Sequence, residues 1–497
     1  MSNAKLNALA LYANFIVLGL LGLVINPLMV RALGVEQFGI WKACLRLLDL
    51  AAAADGRASQ ALKWIVAHRD QEEDLDKQRD TGAALLIWLM WIPILMIAVA
   101  AMIVYLPQLV SDISSGDLTN SRLLAGLLGF NIVLSGLLGI SDATLVGTNQ
   151  GYRSYSLSTT FLVVSNIGML LAAREGYGLV GIGAATLVGT FLNGIATWLV
   201  ARRFVSWWGI ALPRRRDITR VLSFSNLTMI GAMIQSLMLS TEVLVIGFIV
   251  GPEAVSHYVF SSYISTFVLS ICLMTGTAVT PKLGAMIGRG DNQSAAALQD
   301  RAREALLVVT TVGAVGLVLC NRPFVENWAG PAFYLGDMVN LGMVAVMVQL
   351  VLIRFDFQLQ DIGLRIGPKV IWTGITSVLA ILLGATLYWT TGWLPMLFGG
   401  IVLSRVPLNF VFPRMVARII PGHSRQQRGT IAMLVTIGAA FALSQVWHVS
   451  GWGGFAEAAL AALALGGLAS LLFVVTANTR RHIVSQVRDR LRQRFVR

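Results

Sequence analysis

The chain has 497 residues, of which 56% are hydrophobic and only 13% charged, with a mean hydropathy of +0.72 and a formal net charge of +13. So many long apolar runs exclude a soluble globular fold. The positive charge does not indicate a nucleic-acid-binding domain, because no basic segment stands apart from the apolar ones.

In chain order, membrane-length helices are predicted at about 8–30, 38–62, 82–106, 123–147, 154–173, 177–201, 227–249, 255–279, 304–325, 338–357, 369–390, 394–413, 430–449 and 454–477. Each approaches the ~20 residues that cross ~30 Å of hydrocarbon. The expected fold class is therefore all-α and polytopic, with about fourteen transmembrane helices. The second helix is the least apolar, and charge supports counting it. With fourteen crossings and both termini inside, and residues within three positions of a span end counted with the adjoining segment, 30 of the 38 Lys and Arg fall in cytoplasmic segments, four (Arg31, Arg122, Arg174 and Arg322) outside and four within spans. That asymmetry is a positive-inside signal, and it holds only if the second helix crosses.

The connections are short and leave no room for a folded soluble domain. Residues 63–81 mix both signs of charge and are expected to continue the second helix into the cytoplasm. The tail, 479–497, spaces Ile483, Val487, Leu491 and Phe495 four apart among arginines. This describes an amphipathic helix on anionic inner-leaflet lipids. The three cysteines and five histidines form no CxxC or HExxH pattern, so no metal or disulfide framework is indicated. No phosphate-binding G-x-x-x-x-G-K-[ST] loop is present, and no cofactor is expected.

The end of the first helix, VRALGVEQFGIW (30–41), and the end of the seventh, GFIVGPEAVSHY (247–258), align without a gap at an offset of 217 residues. Gly34 then matches Gly251, Glu36 matches Glu253, Phe38 matches Val255 and Trp41 matches Tyr258. Duplicated halves are common in transporters. The alignment implies a lobe at 1–216 (helices one to six), a second at 217–428 (seven to twelve), and two added helices at 429–478.

The stretch NPLMVRALGVEQFGIWKACLRLLDLAAAADGRASQALKWIVA resembles the opening of the polysaccharide-transport branch of the multidrug/oligosaccharidyl-lipid/polysaccharide exporter superfamily. STEVLVIGFIVGPEAVSHYVFSSYIS, TAVTPKLGAMIGRGD and FVENWAGPAF resemble later parts of the same branch, in the same order. The resemblance covers roughly residues 20–335. It implies two six-helix lobes in a V-shaped, alternating-access arrangement, and flipping of lipid-linked sugar units across a bacterial inner membrane. Glu242 is a departure, standing where the branch is expected to have aspartate.

Ionisable groups at membrane depth are costly and each is a functional hypothesis. At about 100° per residue, Lys42, Arg46, Asp49, Arg57 and Gln60 fall within an arc of roughly 80° on helix two, with Asp55 opposite unless Gly56 bends the helix. Three cations on one face suit an anionic ligand, since arginine's planar fork grips phosphate and lysine adds a point charge. Lys42, Arg46 and Arg57, with Arg405 beside Pro407 in helix twelve, are thus the candidate ligands for a diphosphate. In the competing reading Asp49 neutralises Arg46 in a structural pair. Gln235 and Glu242 share a face of helix seven, where Glu242 either carries a coupling ion or forms an ion pair. Arg354 and Asp356, on the inner half of helix ten, are placed at the cavity mouth. Trp41 and Trp64 flank the polar face and are candidates to stack on sugar.

The expected function is a flippase, not an enzyme. It would carry an undecaprenyl-diphosphate-linked oligosaccharide repeat unit from the cytoplasmic to the periplasmic leaflet for exopolysaccharide, O-antigen or capsule synthesis. The expected molecule is a monomer whose partners are its lipid-linked oligosaccharide, anionic lipids at the tail and other polysaccharide-assembly proteins, with no nucleic acid. Two alternatives remain: a multidrug or organic-cation antiporter of the same superfamily, which would want acidic cavity residues, and a membrane enzyme of polysaccharide assembly, which would want a catalytic loop.

Overall fold

The computed structural model describes residues 3–481 apart from 53–56, 69–72, 111–112, 114, 364–365, 423–425 and 478. Sixteen α-helices are joined by short connections, and no strand occurs among the described residues. They are α1 (Asn3–Leu33), α2 (Val35–Ala52), α3 (Ala58–His68), α4 (Asp74–Leu109), α5 (Ser115–Gly147), α6 (Gly151–Arg174), α7 (Gly178–Phe204), α8 (Arg215–Ile249), α9 (Pro252–Ser261) and α10 (Tyr263–Gly288). Then follow α11 (Asn292–Trp328), α12 (Asp337–Gln360), α13 (Ile366–Thr391), α14 (Leu394–Ile419), α15 (Gln427–Ser444) and α16 (Gly451–Ala469). The expected amphipathic tail helix lies outside the described residues from 482 onward.

Twelve of these helices are long and apolar enough to cross a membrane, or up to thirteen if the bent pair α9 and α10 counts as one span. The count of fourteen is not reached, and the two reasons are local. The helix expected over 38–62 is divided into α2 and α3. Glu36, Lys42, Arg46 and Asp49 make α2 too polar for an apolar span, and α3 has only 11 residues. The helix expected over 255–279 is instead broken, with a 58° bend between α9 and α10. Elsewhere the helices outrun the apolar segments: α11 has 37 residues, about 56 Å at ~1.5 Å per residue, well beyond the hydrocarbon.

The chain forms two compact units, Met1–Ser256 and His257–Arg497. In the first, α5 and α6 both pack on α7, α1 packs on α6, and α8 packs on α2, α3 and α4. The unit therefore includes α8. Its core gathers Leu62, Val66, Ala84, Ile87, Ala143 and Val221. In the second unit α11 and α12 are central. The apolar window of α12 is 78% buried, against 6% for that of α1. A helix so little buried, with Leu9, Ile16, Leu20 and Val24 all exposed, is stable only with lipid around it.

Both glycines of the aligned pair end a helix with positive φ, +85° at Gly34 and +112° at Gly251. Glycine takes this conformation without a Cβ penalty. After each, the next helix opens with the same backbone bond: Phe38 N–H to the Gly34 carbonyl at 3.2 Å, and Val255 N–H to the Gly251 carbonyl at 3.3 Å. The two corners also touch. A Cβ on Gly39 would overlap the carbonyl oxygen of Pro252, and the Ser256 hydroxyl donates to the Val35 carbonyl at 2.5 Å.

Candidate functional site

The cations of α2 sit in the first unit under distinct constraints. Lys42 is half-buried. Its Nζ donates to Oδ1 of Asn26 on α1 at 3.1 Å and lies 4.0 Å from the Trp41 ring centroid and 5.0 Å from that of Phe38. An amide oxygen and two aromatic faces hold the ammonium without neutralising it. One turn on, Arg46 Nη1 and Asp49 Oδ2 are 3.3 Å apart with side chains 43% and 52% exposed. A pair this exposed contributes little to stability. The Asp49 carbonyl accepts from Ser236 of α8 at 3.2 Å.

Arg57 and Gln60 do not continue this face on one helix. Arg57 lies at a turn with φ +48°, immediately before α3, and Gln60 is exposed on α3. The single stripe predicted from a continuous helix is therefore interrupted at Arg57, and Asp55 lies outside the described residues. On α8, Gln235 is half-buried and Glu242 is buried within the same unit. Trp41 is buried and Trp64 exposed. The structure thus keeps Lys42, Arg46 and Asp49 together on α2, with Lys42 against α1 and Asp49 against α8.

Arg405, Arg354 and Asp356 belong to the second unit. Arg405 is fully buried on α14, in a stretch interrupted by Pro407, which has no N–H to give the helix. There Gln349 of α12 donates to the Val402 carbonyl at 3.0 Å and to Oδ1 of Asn409 at 3.3 Å. Arg354 and Asp356 are both buried on α12. Asp356 accepts from Arg303 Nη1 of α11 at 2.6 Å. The Arg354 guanidinium lies 5.0 Å from the Phe357 ring centroid, and Lys369 Nζ is 3.9 Å from the same ring while pairing with Asp361.

Some charged groups escaped sequence reasoning. Arg303 and Lys369 had the look of inner-loop residues, yet both are buried. Lys63, also counted as a loop residue, pairs with Asp142 of α5 at 3.0 Å, and Asp142 also accepts from Ser154 of α6. Nothing in the spacing of these residues signals the pairings, since the partners lie on different helices. Among the described residues no group of three His, Cys, Asp or Glu could hold a metal. A cavity of about 490 Å³ between α6 and α7 is lined by Gly168, Ala172, Tyr177, Gly181, Ala185 and Gly189, all without charge.

Bundled membrane-length helices with charged groups held inside them define a polytopic transporter-type protein. The fold is shared with solved structures. One of the lipid II flippase MurJ in an inward closed conformation has a TM-score of 0.67 at 14% identity, covering 97% of this chain and 100% of that one. An inward-facing multidrug resistance MATE transporter of the MOP superfamily gives 0.62 at 17% identity, covering 80% of this chain and 94% of that one. An outward-facing MATE transporter gives 0.58 at 17% identity, covering 84% and 96%. No curated protein matches the chain in sequence. The chain belongs to the polysaccharide biosynthesis protein family, whose sequence model matches residues 6–286.

Proposed function

We propose that this protein is a flippase that moves an undecaprenyl-diphosphate-linked oligosaccharide repeat unit from the cytoplasmic to the periplasmic leaflet of a bacterial inner membrane, with both termini cytoplasmic. The observation that carries the reading is the α2 cluster. Among the described residues Lys42 has no carboxylate in its hydrogen-bond and ring contacts, and the charge partner of Arg46 is the exposed Asp49. The diphosphate is the part of such a substrate that most resists leaving water. Arg46 exchanges Asp49 for a phosphate oxygen pair and Lys42 adds a second charge, so the headgroup is neutralised as it is desolvated. Arg57 receives the headgroup at the inner end, and Arg405 on α14 is the further candidate phosphate ligand in the second unit.

Rocking of two lobes, 1–216 and 217–428, would expose this surface to each side in turn. Gln235 and Glu242 are the further polar candidates in the first unit, and Arg354 and Asp356 those in the second. A membrane potential positive outside supplies about 2.3 kcal/mol per charge per 100 mV to draw an anionic headgroup outward. The protein works as a monomer beside other polysaccharide-assembly proteins, with its basic tail on anionic inner-leaflet lipids.

The test is translocation in proteoliposomes of a labelled diphospholipid-linked oligosaccharide, with organic-cation efflux measured in parallel. Flipping that collapses in Arg46→Ala, without cation efflux, is the expected result. Efflux without flipping would replace the reading with the multidrug antiporter, and intact flipping in Arg46→Ala would remove α2 as the diphosphate site.

A further inference from the structure

Between α7 and α8, residues 205–214 cross the start of α4 and are fixed to it. The Ala211 N–H donates to the Gln78 carbonyl at 3.1 Å, and the Gln78 amide donates to the Trp207 carbonyl at 3.0 Å. A Cβ on Gly82 would overlap the Ala211 carbonyl oxygen, so backbone meets backbone there. Val205 and Trp207 are buried in the core cluster of the first unit with Ala83, Ala84 and Ile87.

These anchors give the segment a defined outward face, and that face is apolar. Leu212 is 92% exposed and Ile210 57% exposed. Around them, residues 202–216 contain five arginines and no acidic residue. Arg214 and Arg216 lie 3.8 and 3.7 Å from Asp76, which already takes Arg79 at 2.8 Å. Arg202, Arg203 and Arg215 are exposed, and none has a carboxylate partner among the described residues. Trp198 and Phe204 are exposed at the end of α7, with the Arg202 guanidinium 5.7 Å from the first ring and that of Arg203 5.8 Å from the second.

We infer that this segment is a docking surface for anionic phospholipid headgroups: Ile210 and Leu212 enter the acyl boundary, and Arg202, Arg203 and Arg215 bind headgroup phosphates. Apolar tips ringed by basic residues are the composition that lies in a membrane interface, and Trp and Phe beside arginine suit that depth. The guanidinium fork matches phosphate oxygens in pairs. Charge complementarity selects anionic over zwitterionic lipid.

A thiol-reactive fluorophore on Leu212→Cys in the full chain tests this directly. Cys44, Cys272 and Cys320 are all buried, so the introduced thiol takes the label. The labelled protein is reconstituted into vesicles of phosphatidylcholine alone or of an equimolar mixture with phosphatidylglycerol. In the mixture the probe is expected to shift to shorter emission wavelength and resist iodide quenching, while a label on exposed Ser206→Cys stays quenchable. Phosphatidylglycerol retained in native mass spectrometry is expected to bind about a hundredfold more weakly in the Arg202→Gln/Arg203→Gln/Arg215→Gln variant, roughly a factor of five per arginine. A Leu212 probe as quenchable as the Ser206 probe in both lipids would overturn the proposal, as would unchanged phosphatidylglycerol retention in the triple variant.

Discussion

Asp356→Ala removes one partner of a buried ion pair in the second unit. The Arg303 and Asp356 side chains are only 8% and 3% exposed and meet at 2.6 Å. Without Asp356, Arg303 loses its carboxylate, while Arg354 and Lys369 remain buried nearby around Phe357 with Asp361 as the acid. Breaking a buried pair by removing one partner costs about 3–5 kcal/mol, because the remaining charge is desolvated without compensation. In a domain of roughly 150–250 residues that corresponds to a fall in Tm of about 6–20 °C. Replacing both partners by apolar residues of similar volume, Arg303→Met with Asp356→Leu, is expected to restore most of the loss, since neither charge is then buried. The assay is tryptophan fluorescence on heating in detergent, with size-exclusion chromatography to score aggregation. A single variant that melts within about 2 °C of the parent would refute the reasoning, as would a double variant no more stable than the single.

Further outcomes follow from other contacts. Gly39→Ala drives a Cβ into the Pro252 backbone carbonyl, and overpacking of this kind costs about 1–3 kcal/mol, which detergent melting will read. Ser256→Ala removes the donor to the Val35 carbonyl, a loss of about 1 kcal/mol on the same assay. Lys63→Ala frees Asp142 from a half-buried pair, with an expected cost of about 0.5–1 kcal/mol; reversing both charges should recover part of it. Asp291 caps α11 by accepting from the Ser294 N–H at 3.1 Å, and hydrogen bonding from the Ser294 side chain, with this backbone bond second, holds its carboxyl below the usual carboxylate range. The cap is therefore intact above that range and is lost as pH falls through the lowered value. Hydrogen exchange in the first turn of α11 should speed up only in acid, and Asp291→Asn should remove the acid dependence.

The apolar spans were legible because hydrophobic length alone decides them. The segments 177–201, 338–357 and 369–390 correspond closely to α7, α12 and α13. Their ends were less legible, since α4 and α11 carry polar turns beyond the hydrocarbon that hydropathy does not register. The turn at Arg57, with its positive φ, left no signal in hydropathy, and the face-sharing of Lys42 with Arg57 depended on a helix that does not run through. The Arg46–Asp49 pair, three residues apart on one turn, was readable from spacing. Arg303 with Asp356 and Lys63 with Asp142 were not. A positive residue near a helix end looks like a topological marker, and only the packed neighbour shows that it is buried.

Set at the offset of 217 residues, the meeting of the Gly34 and Gly251 corners has a reciprocal form. Val35 corresponds to Pro252 and Gly39 to Ser256. Gly39 lies against Pro252, and Ser256 hydrogen-bonds to Val35: each position touches the counterpart of its own partner. Such isologous pairing is the rule at the two-fold interface of a homodimer, and here one chain makes it with itself. The match is imperfect in a single informative respect. On one side a hydroxyl reaches across to a carbonyl; on the other there is no room for any side chain, so the two copies of this position are no longer interchangeable.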